Sequence, residues 1–404
     1  MSNGPFRAAG YPWRLHWGQQ VIEQSLREST DRARAKRAFV ICSPSVNRRT
    51  DIIRRIEAAL GGVYAGVYDG IAKDSTYASV LAATTAARVA NADALIAVGG
   101  GSVIVATRAV AIFLAESGDP FQLMTQYPEG KSAYSPRLLA PKPPIINVPT
   151  TPTSAMNRAG TGLKNPDLDH RMEYFDPKTR PQAIFLDHEA LLTAPPDLIR
   201  STATTVFATN VAAMSQTDIN PLAEGDRNHA FHLANRAYPR LMGELDNPAL
   251  RIDLALAAFL QNRTEDDGSR RFRGGAFAGS YAVSTALHVR YPHVGQGEAT
   301  SVVHAPKIRI TEKPHPASTR QVTEALNLWR DTMTPREAAL AVASHLADLY
   351  ARVGVPTQLR QLQIPRDDLP AIAAETVKNF NANAGLRSPQ DQITDAIRLL
   401  EAAY

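Results

Sequence analysis

One cysteine, Cys42, serves all 404 residues. No intrachain disulfide can form, and a cysteine-rich zinc site is excluded. Long apolar runs are missing too, since none approaches the ~20 residues of a membrane-spanning helix. The opening stretch MSNGPFRAAGYPWRLHWG has no apolar core of the signal-peptide kind, so a cytoplasmic location is expected. An excess of one charge is also lacking: 44 Lys+Arg against 39 Asp+Glu leave a net +5. Basic residues crowd only at Arg27–Arg37 and Arg270–Arg273. A nucleic-acid surface needs a concentrated basic stripe with interleaved aromatics, which this distribution does not offer. The partner expected is therefore a small-molecule substrate, not nucleic acid or membrane, and the reading admits a homodimer.

The composition that is present, 44% hydrophobic and 21% charged, is that of a globular chain long enough for two cores. Its first half alternates short apolar runs with helical periodicities, the signature of a parallel sheet built from βα units. Strands are predicted at Ala38–Ser43, Gly66–Tyr68, Ala94–Val98, Pro144–Val148 and Ala183–Leu186. Helices are predicted at Ile52–Leu60, Ser79–Val89 and Val103–Leu114. The polar stretch Leu163–Arg180 reads as a β-hairpin or a flap. From about Pro195 the pattern turns to long helices, such as Leu250–Leu260, Glu337–Val353 and Gln392–Ala403. The fold class expected is an α/β, Rossmann-like nucleotide-binding domain over residues 1–190, followed by an all-α domain over 191–404. Ligand is expected where the two meet.

The sharpest motif follows the Ala94–Val98 strand. Gly99-Gly100-Gly101-Ser102 stands at a strand-to-helix turn, where side-chain-free backbone amides and a helix N-terminus can receive a pyrophosphate. In its context, IAVGGGSVIVATRAVA, the segment resembles the GGGS motif of the iron-containing alcohol dehydrogenase and maleylacetate reductase superfamily, whose general architecture dehydroquinate-synthase-like enzymes share. Val67–Gly70 (VYDG), Ile145–Thr151 (IINVPTT), Arg171 ahead of Pro181, Asn220-Pro221 and Leu386–Pro389 extend the resemblance over roughly residues 15–400.

The resemblance implies an NAD(P)H-dependent oxidoreductase, with Gly99, Gly100, Gly101 and Ser102 on the pyrophosphate, Thr150 and Thr151 near the nicotinamide half, and Arg171 on the cofactor. NAD-preferring members carry an acidic residue at the end of the first strand; here Ser43 follows Cys42, with Arg48 and Arg49 just beyond. No carboxylate is seen in that segment to repel a 2′-phosphate, and NADPH is favoured.

Metal-dependent members hold iron or zinc with one aspartate and three histidines, the first two on one helix face as Asp-x-x-x-His. Here Thr205 and Thr209 take those places, and Gln296 takes that of the last histidine. Ala282 or Ser284 takes the third, depending on alignment. Hydroxyls and an amide cannot hold a divalent transition metal tightly, so no metal is expected. The alignment through Ser284 puts His288 on a family histidine near the nicotinamide, making it the candidate proton donor, with His293 or His304 as substitutes. A relocated metal site from these three histidines is the less favoured reading, because their spacing fits no single helix face.

Other positions depart as well. Val105 and Arg108 replace the family's aspartate and lysine, and Pro152–Met156 lacks its glycines and glutamate. The maleylacetate reductase branch is the closer chemical analogy. A carboxylate-bearing substrate would find cations in Arg158 and Arg171, whereas Arg270–Arg273 reads as surface charge. The function expected is reduction of an activated carbonyl, conjugated alkene or imine. Thr205, Thr209, Gln296 and Arg158 would line the substrate pocket and His288 or His293 would supply the proton. A non-redox lyase, cyclase or isomerase reusing the same cleft is the alternative.

Overall fold

The computed structural model describes residues 8, 10–128, 131, 133–266, 276–277, 280–379 and 388–404. The runs Arg270–Arg273 and Leu386–Arg387 singled out above lie outside the described residues. Eight strands are present among the described residues: β1 (Arg14–Gly18), β2 (Ala38–Cys42), β3 (Tyr64–Tyr68), β4 (Ala94–Gly99), β5 (Ile145–Pro149), β6 (Gly160–Leu163), β7 (Met172–Phe175) and β8 (Ala183–Asp187). Six form one all-parallel sheet in the order β1-β8-β5-β4-β2-β3. Every residue of β2, β4, β5 and β8 is buried, as continuous apolar runs covered on both faces should be. The fold class is the one expected, an α/β nucleotide-binding region followed by helices.

One strand was missing from the sequence reading. Strand β1 escaped the sequence analysis because RLHWG alternates exposed and half-buried positions at the sheet edge, so no apolar run marks it. Of the two readings of the polar stretch before Pro181, hairpin or flap, the hairpin holds and starts earlier, with β6 and β7 antiparallel from Gly160↔Phe175 to Leu163↔Met172. The described residues form two compact units. One is Tyr11–Pro195 with Asp246–Ala255, and the other joins Pro196–Leu245 to Leu256–Tyr404. The short return segment is tied to the first unit by Arg251, whose guanidinium donates to the carbonyls of Leu191 and Ala194.

In the helical unit the element ends follow local chemistry. Asn220 caps the helix Pro221–Ala237 by accepting from Ala223 N, with proline at the first helical position. Thr334 and Glu337 form a capping box for the helix Pro335–Val353, which stops at Gly354 in the left-handed region (φ 83°). Ser388 accepts from Asp391 N to start the helix Pro389–Ala402. Among the described residues, no helix is long and apolar enough to cross a membrane. The basic cluster at Arg27–Arg37 is partly neutralised on an exposed helix face, where Arg27 pairs with Asp31 and Arg32 with Glu28.

Candidate active site

Chain order reverses between β2 and β4: β2 leads outward to β3, and β4 leads the other way to β5. In a doubly wound sheet this is where ligands bind, outside the carboxyl ends of the strands. Cys42 pairs with Val98 in register, so Ser43 and Gly99 leave adjacent strands together at that point.

Gly99 adopts φ +153°, and a Cβ there would lie 2.8 Å from Val103 Cγ2. Its carbonyl accepts from Thr150 N at 3.0 Å, bringing the loops after β4 and β5 side by side. Gly100 and Gly101 face Thr151 and Thr153, whose hydroxyl oxygens lie 3.4 and 3.0 Å from where a Cβ would sit. The triple glycine thus accommodates its own protein as well as leaving amides bare at the start of the helix Gly101–Ala115. Thr151 Oγ1 is buried with no protein partner among the described residues. The Ser102 side chain is engaged locally: its Oγ accepts from Asp74 N at 3.1 Å, while Ser75 Oγ donates to the Ser102 carbonyl at 2.6 Å. Arg171 stands beside β7, with its stem 3.3 Å from where a Gly162 Cβ would be and a buried Nε without a protein acceptor among the described residues.

At the β2 end one expectation is corrected. A carboxylate does stand there, supplied by the chain just after β3. Asp69 accepts from Asn47 Nδ2 at 3.0 Å and lies 3.9 Å from Arg48 Nε. Burial first, and the Asp69 charge second, push the Cys42 thiol up to about 12. Arg48 is largely exposed, and Ser43 Oγ sits 3.1 Å from Ser45 Oγ. Sequence adjacency could not show Asp69, because the parallel pairing of β2 with β3 brings it in.

In the helical unit, the positions compared with metal ligands form a connected polar series. Thr209 Oγ1 donates to the Thr205 carbonyl at 2.7 Å, and Thr205 Oγ1 to the Ser201 carbonyl at 3.3 Å. A Cβ on Gly297 would lie 2.1 Å from that Ser201 oxygen, so only glycine lets the helix Gln296–Ile310 approach the helix Pro196–Met214 so closely. Ser201 Oγ accepts from Gly297 N at 3.2 Å and donates to Glu298 Oε2 at 2.8 Å, a bond between residues 97 apart that no sequence spacing signals. Gln296 Nε2 donates to Ser284 Oγ at 3.0 Å. Ser284 gives its own proton to the Tyr281 carbonyl at 3.1 Å, so it can only accept from Gln296; the amide orientation follows. Of the two aligned alternatives, Ser284 rather than Ala282 is the residue in contact with Gln296.

The three histidines do not converge. His288 is buried, with Nδ1 at 2.7 Å from the Val294 carbonyl, so that nitrogen carries the proton and the tautomer is set. His293 is exposed and uses Nε2 to reach the Leu362 carbonyl at 2.9 Å, tethering its loop to a turn near the C-terminus. His304 is fully buried between Tyr350 Oη at 2.7 Å and the Phe277 carbonyl at 3.0 Å, and burial pulls its pKa down to about 4. No group of three His, Cys, Asp or Glu side chains able to hold a metal occurs among the described residues.

Residues 12–188 match the iron-containing alcohol dehydrogenase family, and residues 202–404 match the C-terminal region of the Fe-containing alcohol dehydrogenase family. The chain belongs to this family. The maleylacetate reductase 2 of Cupriavidus pinatubonensis is 26% identical over 325 residues, 80% of this chain and 77% of that protein. Two solved structures share the fold. A maleylacetate reductase from a Rhizobium species has a TM-score of 0.73 at 21% identity, covering 99% of this chain and 98% of its own. A sulfoacetaldehyde reductase from Bifidobacterium kashiwanohense, solved with NAD+, has a TM-score of 0.77 at 17% identity, covering 98% and 99%. As an iron-containing alcohol dehydrogenase family member the protein is a nicotinamide-dependent oxidoreductase, a dehydrogenase or reductase by kind. The metal in the family's name does not fit this member's donors. Two threonine hydroxyls, a serine hydroxyl and a carboxamide offer neither a carboxylate nor an imidazole.

Proposed function

We propose that this oxidoreductase works without a metal, reducing an activated carbonyl, conjugated alkene or imine on a small, carboxylate-bearing molecule with NAD(P)H. The observation that carries the proposal is the Thr205–Thr209–Ser284–Gln296 series, whose members satisfy one another or nearby backbone groups and supply no metal ligand. A bound metal ion would stabilise developing oxyanion charge by several kcal/mol; without it, the substrate itself must be activated. Gln296 has a second amide N–H to orient a substrate oxygen, while the threonines, having given their protons to carbonyls, offer lone pairs only.

In this reading the dinucleotide lies on Gly99–Ser102, with Thr150, Thr151 and Arg171 beside it, and supplies the hydride when bound. His288, its Nδ1 proton held by Val294, delivers the product proton from Nε2 as the imidazolium and is left as the Nδ1–H tautomer. His293, committed to Leu362, is the weaker candidate for that role. Arg158 and Arg171 support the carboxylate-bearing substrate class. NADPH over NADH rests on Ser43 and the Arg48-Arg49 pair, against which Asp69 acts. The test is elemental analysis of the purified protein with turnover of NAD(P)H before and after chelation. Activity indifferent to chelators at substoichiometric metal supports the proposal. One equivalent of iron or zinc, with activity lost on chelation and restored by that metal, overturns it.

A further inference from the structure

Arg108 points into the interior of the α/β unit from the helix Gly101–Ala115, 2% exposed. Its Nη2 donates to the Ala155 carbonyl at 3.0 Å and its Nε reaches the Ile104 carbonyl at 3.4 Å. Nη1 is buried and finds no acceptor among the described residues. The Ala155 carbonyl also accepts Arg158 N at 3.4 Å, closing a turn, and Asn147 Nδ2 fixes the next carbonyl, that of Met156, at 2.7 Å. The charges that act on Arg108 are both positive, those of Arg158 and Arg180, and burial together with them pulls its pKa down to about 9. Arg180 in turn lies over the Tyr11 ring at 3.8 Å.

A guanidinium removed from water without a carboxylate is costly, and two further cations nearby raise the cost. A side chain needed only to fill space would be apolar. The backbone of Arg108 stands seven residues, about 10 Å, along the helix from Gly101.

We infer that Arg108 Nη1, beside the turn that Arg158 N closes on the Ala155 carbonyl, binds a small monovalent anion of chloride or formate size. The inference rests on the surroundings of Arg108 alone and does not depend on the function proposed above. Full burial and a single uncommitted donor group favour one compact charge over sulfate or phosphate, whose desolvation would cost more.

The test is thermal unfolding of the full chain in sodium gluconate, with chloride substituted at constant ionic strength. Chloride should raise Tm saturably, by about 2 °C or more, because a ligand bound only by the folded state stabilises it by mass action. Formate should do the same. The Arg108→Met variant should be at least as stable as the parent in gluconate and should not respond to chloride. Crystals of the wild-type protein soaked in bromide provide a readout that needs no variant, with an anomalous peak expected within hydrogen-bond distance of Arg108 Nη1. A Tm indifferent to chloride, a chloride response retained by Arg108→Met, or bromide found only elsewhere would each overturn the inference. The last outcome would leave an ordered water as the partner of Arg108.

Discussion

Gln296 donates its amide to the Ser284 hydroxyl across 3.0 Å, joining the helices Tyr281–Arg290 and Gln296–Ile310 at two positions aligned with metal ligands. On this contact we propose that Ser284, not Ala282, stands in the third ligand position. If the backbone still holds the ligand geometry, restoring the side chains should restore the metal. The variant Thr205→Asp, Thr209→His, Ser284→His, Gln296→His is expected to bind one equivalent of zinc. Replacing Ala282→His for Ser284→His should weaken that binding by at least ~10-fold, the effect of losing one ligand's worth of about 1.4 kcal/mol or more. Calorimetric titration of both variants checks this; equal affinities would remove the case for Ser284, and tighter binding with Ala282→His would return the choice to Ala282.

Gly100 faces Thr151, with 3.4 Å between a virtual Cβ and the threonine oxygen. Gly100→Asp would set a carboxylate where a pyrophosphate is to lie. Its repulsion, several kcal/mol at short range and intermediate dielectric, should raise the dinucleotide Kd at least tenfold. Fluorescence titration with NADH and NADPH measures it, with circular dichroism to verify folding. An unchanged Kd in a folded variant would remove the dinucleotide from this turn.

Asp69 and Arg48 make opposite demands on the 2′-phosphate of NADPH. Arg48→Ala with Arg49→Ala should lower NADPH affinity about tenfold or more and leave NADH nearly untouched, since a charge-assisted bond contributes about 1.5–3 kcal/mol. Asp69→Asn should move the ratio the other way by removing a negative charge from the β2–β3 edge. The ratio of the two dissociation constants across the three proteins is the measurement. A ratio insensitive to both changes places the adenosine ribose elsewhere.

His304 links stability to acid. In the folded protein it stays neutral down to about pH 4, whereas its ordinary value is 6.5. Between these values the unfolded chain binds the extra proton, so stability is full above pH 6.5 and falls as pH drops toward 4, by on the order of 3 kcal/mol. His16 and His345, lowered by partial burial, act in the same direction. His304→Gln keeps a donor for the Phe277 carbonyl and an acceptor for Tyr350, and should flatten the slope by one proton. Urea denaturation from pH 7 to 4.5 reads this directly; parallel slopes in the two proteins would show that His304 does not set the dependence.

What the sequence determined by itself was whatever is local. Continuous apolar strands, the glycine turn after Val98, and the helix starts at Asn220 and Ser388 depend on neighbours a few residues away, so periodicity and turn chemistry reveal them. That Thr205, Thr209 and Gln296 carry neither carboxylate nor imidazole was equally legible, because ligand chemistry resides in residue type. Tertiary structure alone decided the rest. Parallel pairing brought Asp69 beside Asn47 and Arg48, and the close approach at Gly297 placed Ser201 against Glu298. A hydroxyl whose proton was already given to Tyr281 made Ser284 the acceptor of Gln296. Burial, which no single position records, turned Arg108 from a lysine-like substitution into an enclosed charge and held His304 neutral. Each depends on groups distant in the chain being forced together by packing, and the free energy of a charge depends on that surrounding as much as on the residue that carries it.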